Sequence, residues 1–280
     1  MAKIFISNSL ISAQWLHENF NAENLIIFDA SMKPVGNVAA SQTIAYIPNS
    51  LRFDFDEHLC EHNTPFPHMM PTPEFFTEEM QKMGVNQDSA IVVYDNVGVY
   101  ASPRAWWMFR TMGHDNVAVL DGGLPAWIGA GYETSSTLAT SSLRGSFASN
   151  PRPESFVDSQ AVTHALSDSA FSVVDARSTG RFTGREPEPR AGLRGGHMPG
   201  SVSMPFGETQ INGVMKSPVL LREMFAKYQN KKLIFSCGSG VTACILALAA
   251  EQAGLKELAV YDGSWAEWGL ETSGLPVTRD

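Results

Sequence analysis

Short apolar runs alternate with helix-length runs along this chain, a pattern that predicts alternating strands and helices. The clearest example is a strand at Lys232–Ser236, followed by Cys237, two glycines and a helical run from Val241 to Ala253. The helical run is apolar almost all round, so we expect a buried helix. Strands and helices in this order are typical of an α/β domain with a mainly parallel sheet.

The first half of the chain follows the same pattern. Its proline-rich stretch Thr64–Pro73 is predicted to be a loop, because proline lacks the N–H that strand ladders and helices require. The remaining predicted elements are the strands Ile4–Ile6, Leu25–Asp29, Ala90–Tyr94 and Val117–Leu120, and the helices Ser12–Asn19, Glu74–Met83 and Ser102–Arg110.

The second half of the chain repeats the first. Four blocks correspond at separations of 141 to 151 positions: Ser172–Arg177 with Ile26–Ser31, His197–Ser201 with Tyr46–Ser50, Ile234–Ala243 with Val92–Ala101, and Val260–Trp268 with Val119–Trp127. Near-constant separations indicate a duplicated domain. We therefore predict two tandem domains, residues 1–133 and 156–280, joined by a Ser/Thr-rich linker at 134–155.

Composition narrows the class of protein. The 280 residues are 44% hydrophobic and 18% charged, with a net charge of −9, which argues against nucleic acid or an anionic membrane as partner. Three cysteines are too few for a disulfide framework or a zinc site. With no signal-like start and no apolar run of about 20 residues, the sequence predicts a cytoplasmic protein without a membrane span.

The loop after the strand Lys232–Ser236 is the main candidate for chemistry. Gly238 and Gly240 allow a sharp turn whose N–H groups can form a nest for an anion, and the following helix start adds positive potential. Such surroundings favour the thiolate of Cys237, which makes it a candidate nucleophile. The alternative is a buried cysteine beside glycines that serve only the turn.

The seven residues Cys237–Ala243 resemble the active-site loop of the 3-mercaptopyruvate sulfurtransferases, in the rhodanese superfamily. The resemblance extends over nearly the whole chain and implies two tandem rhodanese-like domains. It implies that Cys237 accepts sulfur as a persulfide and that the loop residues Gly238, Ser239, Gly240, Val241 and Thr242 bind the substrate. Relatives that use thiosulfate usually have basic residues after the cysteine. Gly238 and Ser239 are neutral, which favours 3-mercaptopyruvate.

The first copy carries Asp95 where the second carries Cys237. A carboxylate cannot hold a transferable sulfur atom, so we expect the first domain to be catalytically silent. The loop after Asp95, Asn96–Tyr100, also lacks the Gly-Ser pair that follows Cys237. We therefore do not expect a cysteine at position 95 alone to create a second site.

A Gly/Pro-rich segment between Thr179 and His197 holds several arginines. On charge pattern alone, we favour a solvated loop in which they pair with Glu186 and Glu188. Arg181 and Arg190, however, match the two arginines that bind the substrate carboxylate in the resembled family. An arginine can hold a carboxylate through two parallel hydrogen bonds.

The same resemblance implies a proton relay beside the cysteine. Ser239 matches its serine, and His68, within Pro67–Pro71, matches its histidine. The acidic member falls at Asp56 or Glu57, and the spacing does not decide between them. The alternative for His68 is an ordinary histidine in the wall of the cleft.

The predicted protein is thus an enzyme that moves sulfur from 3-mercaptopyruvate through a Cys237 persulfide to a thiol, cyanide or a thioredoxin-type protein, releasing pyruvate. No cofactor or metal is implied. Alternatives are a thiosulfate sulfurtransferase and a non-enzymatic persulfide carrier. A cysteine phosphatase of related fold would need an arginine where Ala243 stands. Of the other cysteines, Cys244 is expected in the core and Cys60 at the surface.

Overall fold

A computed structural model describes residues 2–32 and 45–280 of the protein. The chain divides into two compact units. Unit 1 comprises Met1–Glu61, Met70–Arg152 and Asn212–Met215, and unit 2 comprises His62–Met69, Pro153–Ile211 and Lys216–Asp280. Among the described residues, no helix has the length and apolar character needed to cross a bilayer.

The first two helices of unit 1 begin at side-chain caps. The Ser12 hydroxyl accepts from the Trp15 amide, and Thr72 caps the second helix with Pro73 in its first turn. The elements are β1 (Leu10–Ile11), α1 (Ala13–Glu18), β2 (Leu25–Asp29), β3 (Leu51–Arg52), α2 (Pro73–Lys82), β4 (Ala90–Tyr94), α3 (Ser102–Thr111), β5 (Val117–Leu120) and α4 (Gly123–Gly129).

Unit 2 follows the same plan with more short elements. They are β6 (Phe156–Val157), α5 (Ser159–Ser167), β7 (Phe171–Asp175), α6 (Thr179–Thr183), β8 (Val202–Ser203), β9 (Gln210–Ile211), α7 (Pro218–Met224), β11 (Lys232–Ser236), α8 (Ala243–Gln252), β12 (Leu258–Tyr261) and α9 (Ser264–Trp268). The strand between β9 and α7, β10 (Val214–Met215), lies within unit 1. Single 3-10 turns occur at Pro153–Ser155, Phe206–Thr209 and Ala226–Tyr228.

Each unit contains one five-stranded sheet in which every neighbouring pair is parallel. The strand orders are β1-β5-β4-β2-β3 and β6-β12-β11-β7-β8, which is one permutation used twice. This confirms the duplicated α/β fold predicted from the repeated blocks.

The central strand β4 is buried throughout and β11 is buried from Leu233 to Ser236, as the apolar runs in their sequences predict. In register, Asp29 pairs with Tyr94 in unit 1, and Asp175 pairs with Ser236 in unit 2. The next residue along each central strand is Asp95 or Cys237. Both therefore emerge at the carboxyl edge of a parallel sheet, where α/β folds place their ligands.

The strand predicted at Ile4–Ile6 is wrong. The amides of Ile4 and Ile6 donate instead to the side-chain oxygens of Asn24 and Asn116, at 2.9 and 2.8 Å. Side-chain acceptors thus replace a neighbouring strand, and the first strand forms later, at Leu10–Ile11.

Part of the segment predicted as a linker, residues 134–152, packs within unit 1. Phe147 is fully buried, and its amide donates to the Val85 carbonyl. The short segment His62–Met69 belongs to unit 2. The boundaries at 133/134 and 155/156 stay predictions, and residues 1 and 33–44 of the first predicted domain lie outside the described part of the chain.

Candidate active site

The loop between β11 and α8 lies against the start of α9. The Cys237 amide donates to the Ser264 hydroxyl at 3.1 Å, while the Trp265 and Ala266 amides donate to the Cys237 and Gly238 carbonyls at 3.0 and 2.8 Å. The backbone N–H and C=O groups of Cys237 are therefore both hydrogen-bonded to the start of α9. Cys237 is only 2% exposed.

The remaining loop residues make a tight turn into α8. Gly240 has a φ of 76°, a left-handed conformation that side chains rarely adopt. Gly238 and Thr242 are partly exposed, whereas Ser239, Gly240 and Val241 are buried. The loop thus presents backbone rather than bulky side chains beside Cys237.

The guanidinium groups of Arg181 and Arg190 lie directly over this loop. A methyl group built on Gly238 would lie 3.1 Å from Nη2 of Arg181 and 3.7 Å from Nη1 of Arg190. Two guanidinium groups thus lie close to the residue next to Cys237, an arrangement that suits an anionic substrate group.

Arg181 also has a carboxylate partner. Its Nη2 lies 2.5 Å from Oε2 of Glu188, as the charge pattern of the segment suggested for this pair. Glu186 makes a different contact, accepting from the Ser178 hydroxyl at 2.8 Å. Arg181 therefore contacts an acidic residue, as expected from the charge pattern, and also lies over the loop. The expectation of a solvated loop is wrong for this pair, because the Glu188 side chain is only 1% exposed.

Ser239 connects the histidine and the second arginine. Its Oγ lies 3.0 Å from Nδ1 of His68 and accepts from Nη2 of Arg190 at 3.4 Å. His68 has a φ of 63°, which is unusual for a residue with a side chain, and it is buried. The structure therefore brings together Cys237, Ser239, His68, Arg181 and Arg190 within unit 2. Asp56 and Glu57 belong to unit 1.

In unit 1, Asp95 occupies its own loop completely. Its carboxylate accepts hydrogen bonds from five backbone amides, those of Val97, Gly98, Tyr100, Ala101 and Ser102, at 2.8 to 3.0 Å. The Ser102 hydroxyl donates a sixth, and Asp95 is fully buried. The loop is an anion nest filled by its own side chain.

The two remaining cysteines are both buried. Cys244 is fully buried and its thiol donates to the Gly240 carbonyl, as expected for a core residue. The prediction that Cys60 lies at the surface is wrong, because it is only 8% exposed and its thiol donates to the Asp56 carbonyl. Burial raises the pKa of the Cys60 thiol, with smaller contributions from Asp54 and Asp56 in the same direction.

Ser264 escaped prediction at this site, and Glu188 was expected only as one of two possible partners of the arginines. Ser264 stands where the first copy has Gly123 in the repeated block, and that exchange in a turn was a usable signal. Nothing in the sequence separates Glu188 from Glu186. Among the described residues, no cluster of His, Cys, Asp and Glu is arranged to hold a metal ion.

Comparison with known proteins gives consistent matches over the whole chain. The model of the rhodanese-like domain matches residues 12–130 and again 159–271. The chain is 37% identical to 3-mercaptopyruvate sulfurtransferase of Escherichia coli (strain K12), covering 95% of this chain and 96% of that protein.

Two further matches extend this picture. Thiosulfate/3-mercaptopyruvate sulfurtransferase 1, mitochondrial, of Arabidopsis thaliana is 34% identical over 99% of this chain and 79% of its own length. The crystal structure of SseA from Escherichia coli, described as a 3-mercaptopyruvate sulfotransferase, superposes with a TM-score of 0.82 at 33% identity, covering 92% of this chain and 99% of that one.

Proposed function

This chain belongs to the rhodanese-like family as a tandem-domain sulfurtransferase, and we propose that it takes its sulfur from 3-mercaptopyruvate through a persulfide on Cys237. The observation that carries the proposal is the position of Arg181 and Arg190 over Gly238, beside the thiol. A carboxylate held by these guanidinium groups would bring a sulfur two carbons away next to Cys237.

The proposed transfer balances without a cofactor. The Cys237 thiolate attacks the substrate sulfur, a new S–S bond forms, and the C–S bond breaks with its electron pair left on carbon. That carbon takes up one proton to become the methyl group of pyruvate, and the sulfur stays on the enzyme as a persulfide anion. A thiol, cyanide or a thioredoxin-type protein then removes the outer sulfur and restores the thiolate.

The contact between His68 and Ser239 supports a role in moving that proton. The substrate thiol must lose one proton and the leaving carbon must gain one. Ser239 Oγ hydrogen-bonds to His68, and both are buried beside Cys237. A hydroxyl and an imidazole in contact can pass a proton between two points without admitting bulk water. We assign this relay to the pair.

Backbone amides of the loop Gly238–Thr242 would stabilise the negative charge on the outer sulfur of the persulfide. The neutral side chains at Gly238 and Ser239 favour a substrate with one negative charge. A non-enzymatic sulfur carrier would not need Arg181 and Arg190, which argues against that alternative.

The three cysteines form no disulfide, and we propose the cytoplasm as the compartment on this basis.

The deciding experiment measures kcat/KM for 3-mercaptopyruvate and for thiosulfate side by side, with cyanide as acceptor. We expect the value for 3-mercaptopyruvate to be the larger one. A larger value for thiosulfate would overturn the substrate assignment and leave the sulfurtransferase activity intact. Replacing cyanide with a reduced thioredoxin-type protein then tests the acceptor.

A further inference from the structure

Four charged side chains form a continuous series of ion pairs beneath the arginine segment. Asp175 Oδ2 lies 2.6 Å from Nη2 of Arg177, whose Nη1 lies 2.7 Å from Oε1 of Glu188. The other oxygen of Glu188 lies 2.5 Å from Nη2 of Arg181. Glu188 thus bridges a buried arginine and the arginine that lies over the loop.

The inner members of this series are inaccessible to water. The side chains of Arg177 and Glu188 are 0% and 1% exposed, and that of Arg181 is 22% exposed. The Arg177 guanidinium stacks on the Trp265 ring at 4.0 Å. Burial lowers the pKa of Arg177, but its ion pairs with Asp175 and Glu188 outweigh that effect and raise it.

Glu188 determines how much charge Arg181 offers to a substrate. It accepts from Nε and Nη2 of Arg181, along one edge of the guanidinium group. Among the described residues, no carboxylate lies within ion-pair distance of Arg190, which donates to Ser239. The two carboxylates and three guanidinium groups named here therefore carry a formal net charge of +1, supplied in effect by Arg190.

We propose that Glu188 is a specificity-determining residue, which limits the site to one uncompensated positive charge and so selects a monoanionic sulfur donor over a dianionic one. The proposal rests on the function proposed above. 3-Mercaptopyruvate carries one carboxylate charge, whereas thiosulfate carries two. At a site with one uncompensated cation, the second negative charge of thiosulfate would lose water without gaining a partner, and a second uncompensated cation would supply that partner.

A merely structural role for Glu188 predicts something different. Removing a structural carboxylate would lower both activities together, through misplaced arginines or a smaller folded fraction. The ratio of the two specificity constants is insensitive to the folded fraction, since unfolded protein reduces both by the same factor. A change in that ratio therefore reports on charge selection at the site.

The test compares three variants with the wild type. Glu188→Gln removes the charge and keeps the shape, Glu188→Asp keeps the charge and shortens the reach, and Glu186→Gln removes a charge from the same segment without touching Arg181. The ratio of thiosulfate to 3-mercaptopyruvate specificity constants should rise about tenfold in Glu188→Gln alone, for one unit charge acting across a partly screened site. It should stay within about twofold in the other two.

Three outcomes would overturn the proposal: an unchanged ratio in Glu188→Gln, an equal rise in Glu188→Asp, or an equal rise in Glu186→Gln.

A second experiment, on the wild type, tests the proposal in the case in which Glu188→Gln does not fold. At constant ionic strength, sulfate should protect Cys237 from iodoacetamide no better than acetate does, and better protection by sulfate contradicts the proposal. A wild type that prefers thiosulfate would defeat the proposed function, yet the rise in Glu188→Gln would still stand.

Discussion

The hydroxyl of Ser264 accepts a hydrogen bond from the Cys237 amide at 3.1 Å and donates one to the Tyr261 carbonyl at 2.8 Å. Ser264 adopts a φ of 49°, and Gly123, at the matching position of the first domain, adopts 55°. A side chain in this conformation costs about 1–2 kcal/mol relative to glycine. The second domain thus accepts backbone strain at the residue that holds its cysteine.

Replacing Ser264 separates strain from hydrogen bonding. Ser264→Gly removes both the hydroxyl and the strain, whereas Ser264→Ala removes the hydroxyl alone. The free energy of unfolding should therefore be about 1 kcal/mol higher in the glycine variant than in the alanine variant. Both should lower kcat/KM and slow alkylation of Cys237 by iodoacetamide across the pH range, because the Cys237 amide loses its acceptor. Unfolding curves and alkylation rates check this, and wild-type alkylation in both variants would contradict it.

Cys237 should be the only cysteine that carries sulfur. Cys237→Ser should abolish turnover and leave the melting temperature nearly unchanged, since the side chain keeps its size. Cys60→Ser and Cys244→Ser are the matched controls and should stay active. Intact-protein mass spectrometry after substrate should detect one added sulfur atom in the wild type and in both controls. Sulfur on Cys60 or Cys244 would refute the assignment.

Arg181 and Arg190 should each contribute to carboxylate binding. Removing a charged hydrogen-bond partner from a mostly desolvated site costs about 1.5–3 kcal/mol, so Arg181→Ala and Arg190→Ala should each lower kcat/KM for 3-mercaptopyruvate by roughly 10- to 100-fold. Lysine at either position should restore only part, because an ammonium group cannot match both carboxylate oxygens. Arg185→Ala, in the same segment at an exposed position, is the control and should behave as wild type.

Asp95 should stabilise the first domain rather than act in sulfur transfer. Asp95→Ala leaves five amides without their acceptor, three of them buried, which should cost more than about 3 kcal/mol in the free energy of unfolding. Asp95→Asn should also destabilise, because its amide group brings two donors toward other donors. Denaturant unfolding measures the loss. Full stability in the alanine variant would mean that water replaces the carboxylate.

The stability of the protein should fall on mild acidification because of His114. Burial lowers the pKa of His114, and weaker effects, including its hydrogen bond to the Ser89 carbonyl, act in the opposite direction. The native state therefore binds the proton less readily than the unfolded chain, whose histidines titrate near about pH 6.5. Stability should be level above that pH and decline below it.

Unfolding free energies at several pH values, in the wild type and in His114→Gln, test this pH dependence. In the wild type, the free energy of unfolding should begin to fall below about pH 6.5. In His114→Gln, it should fall less steeply over the same pH range. His164→Gln, at an exposed position of α5, is the matched control and should keep the wild-type pH dependence. An identical slope in His114→Gln would rule out this source.

The hydrophobic pattern predicted the central strands and the repeat well, because the buried residues of β4 and β11 leave an apolar run in the sequence. It failed at Ile4–Ile6, where two asparagine side chains distant in sequence supply the hydrogen bonds. Apolar character alone cannot distinguish a strand from a buried extended segment held in this way.

The site was predictable where residue identity fixes the chemistry, as at Cys237. It was not predictable where three-dimensional proximity decides. Glu186 and Glu188 are equivalent in the sequence, yet only Glu188 reaches Arg181, because the chain path turns one carboxylate inward and leaves the other near Ser178. The hydrogen bonds around Asp95 were not predictable either, because the convergence of backbone amides on the carboxylate is a property of the folded loop.

The filled nest at Asp95 restricts which side chains this loop of the first domain can accommodate. A persulfide places its negative charge two bonds beyond Cβ, and so does an aspartate, so the carboxylate satisfies the same ring of amides without any sulfur. Alanine or glycine at position 95 would leave those amides without their acceptor, three of them in buried positions. The loop is therefore built around a negative charge at this distance from the backbone, which the carboxylate of Asp95 supplies permanently.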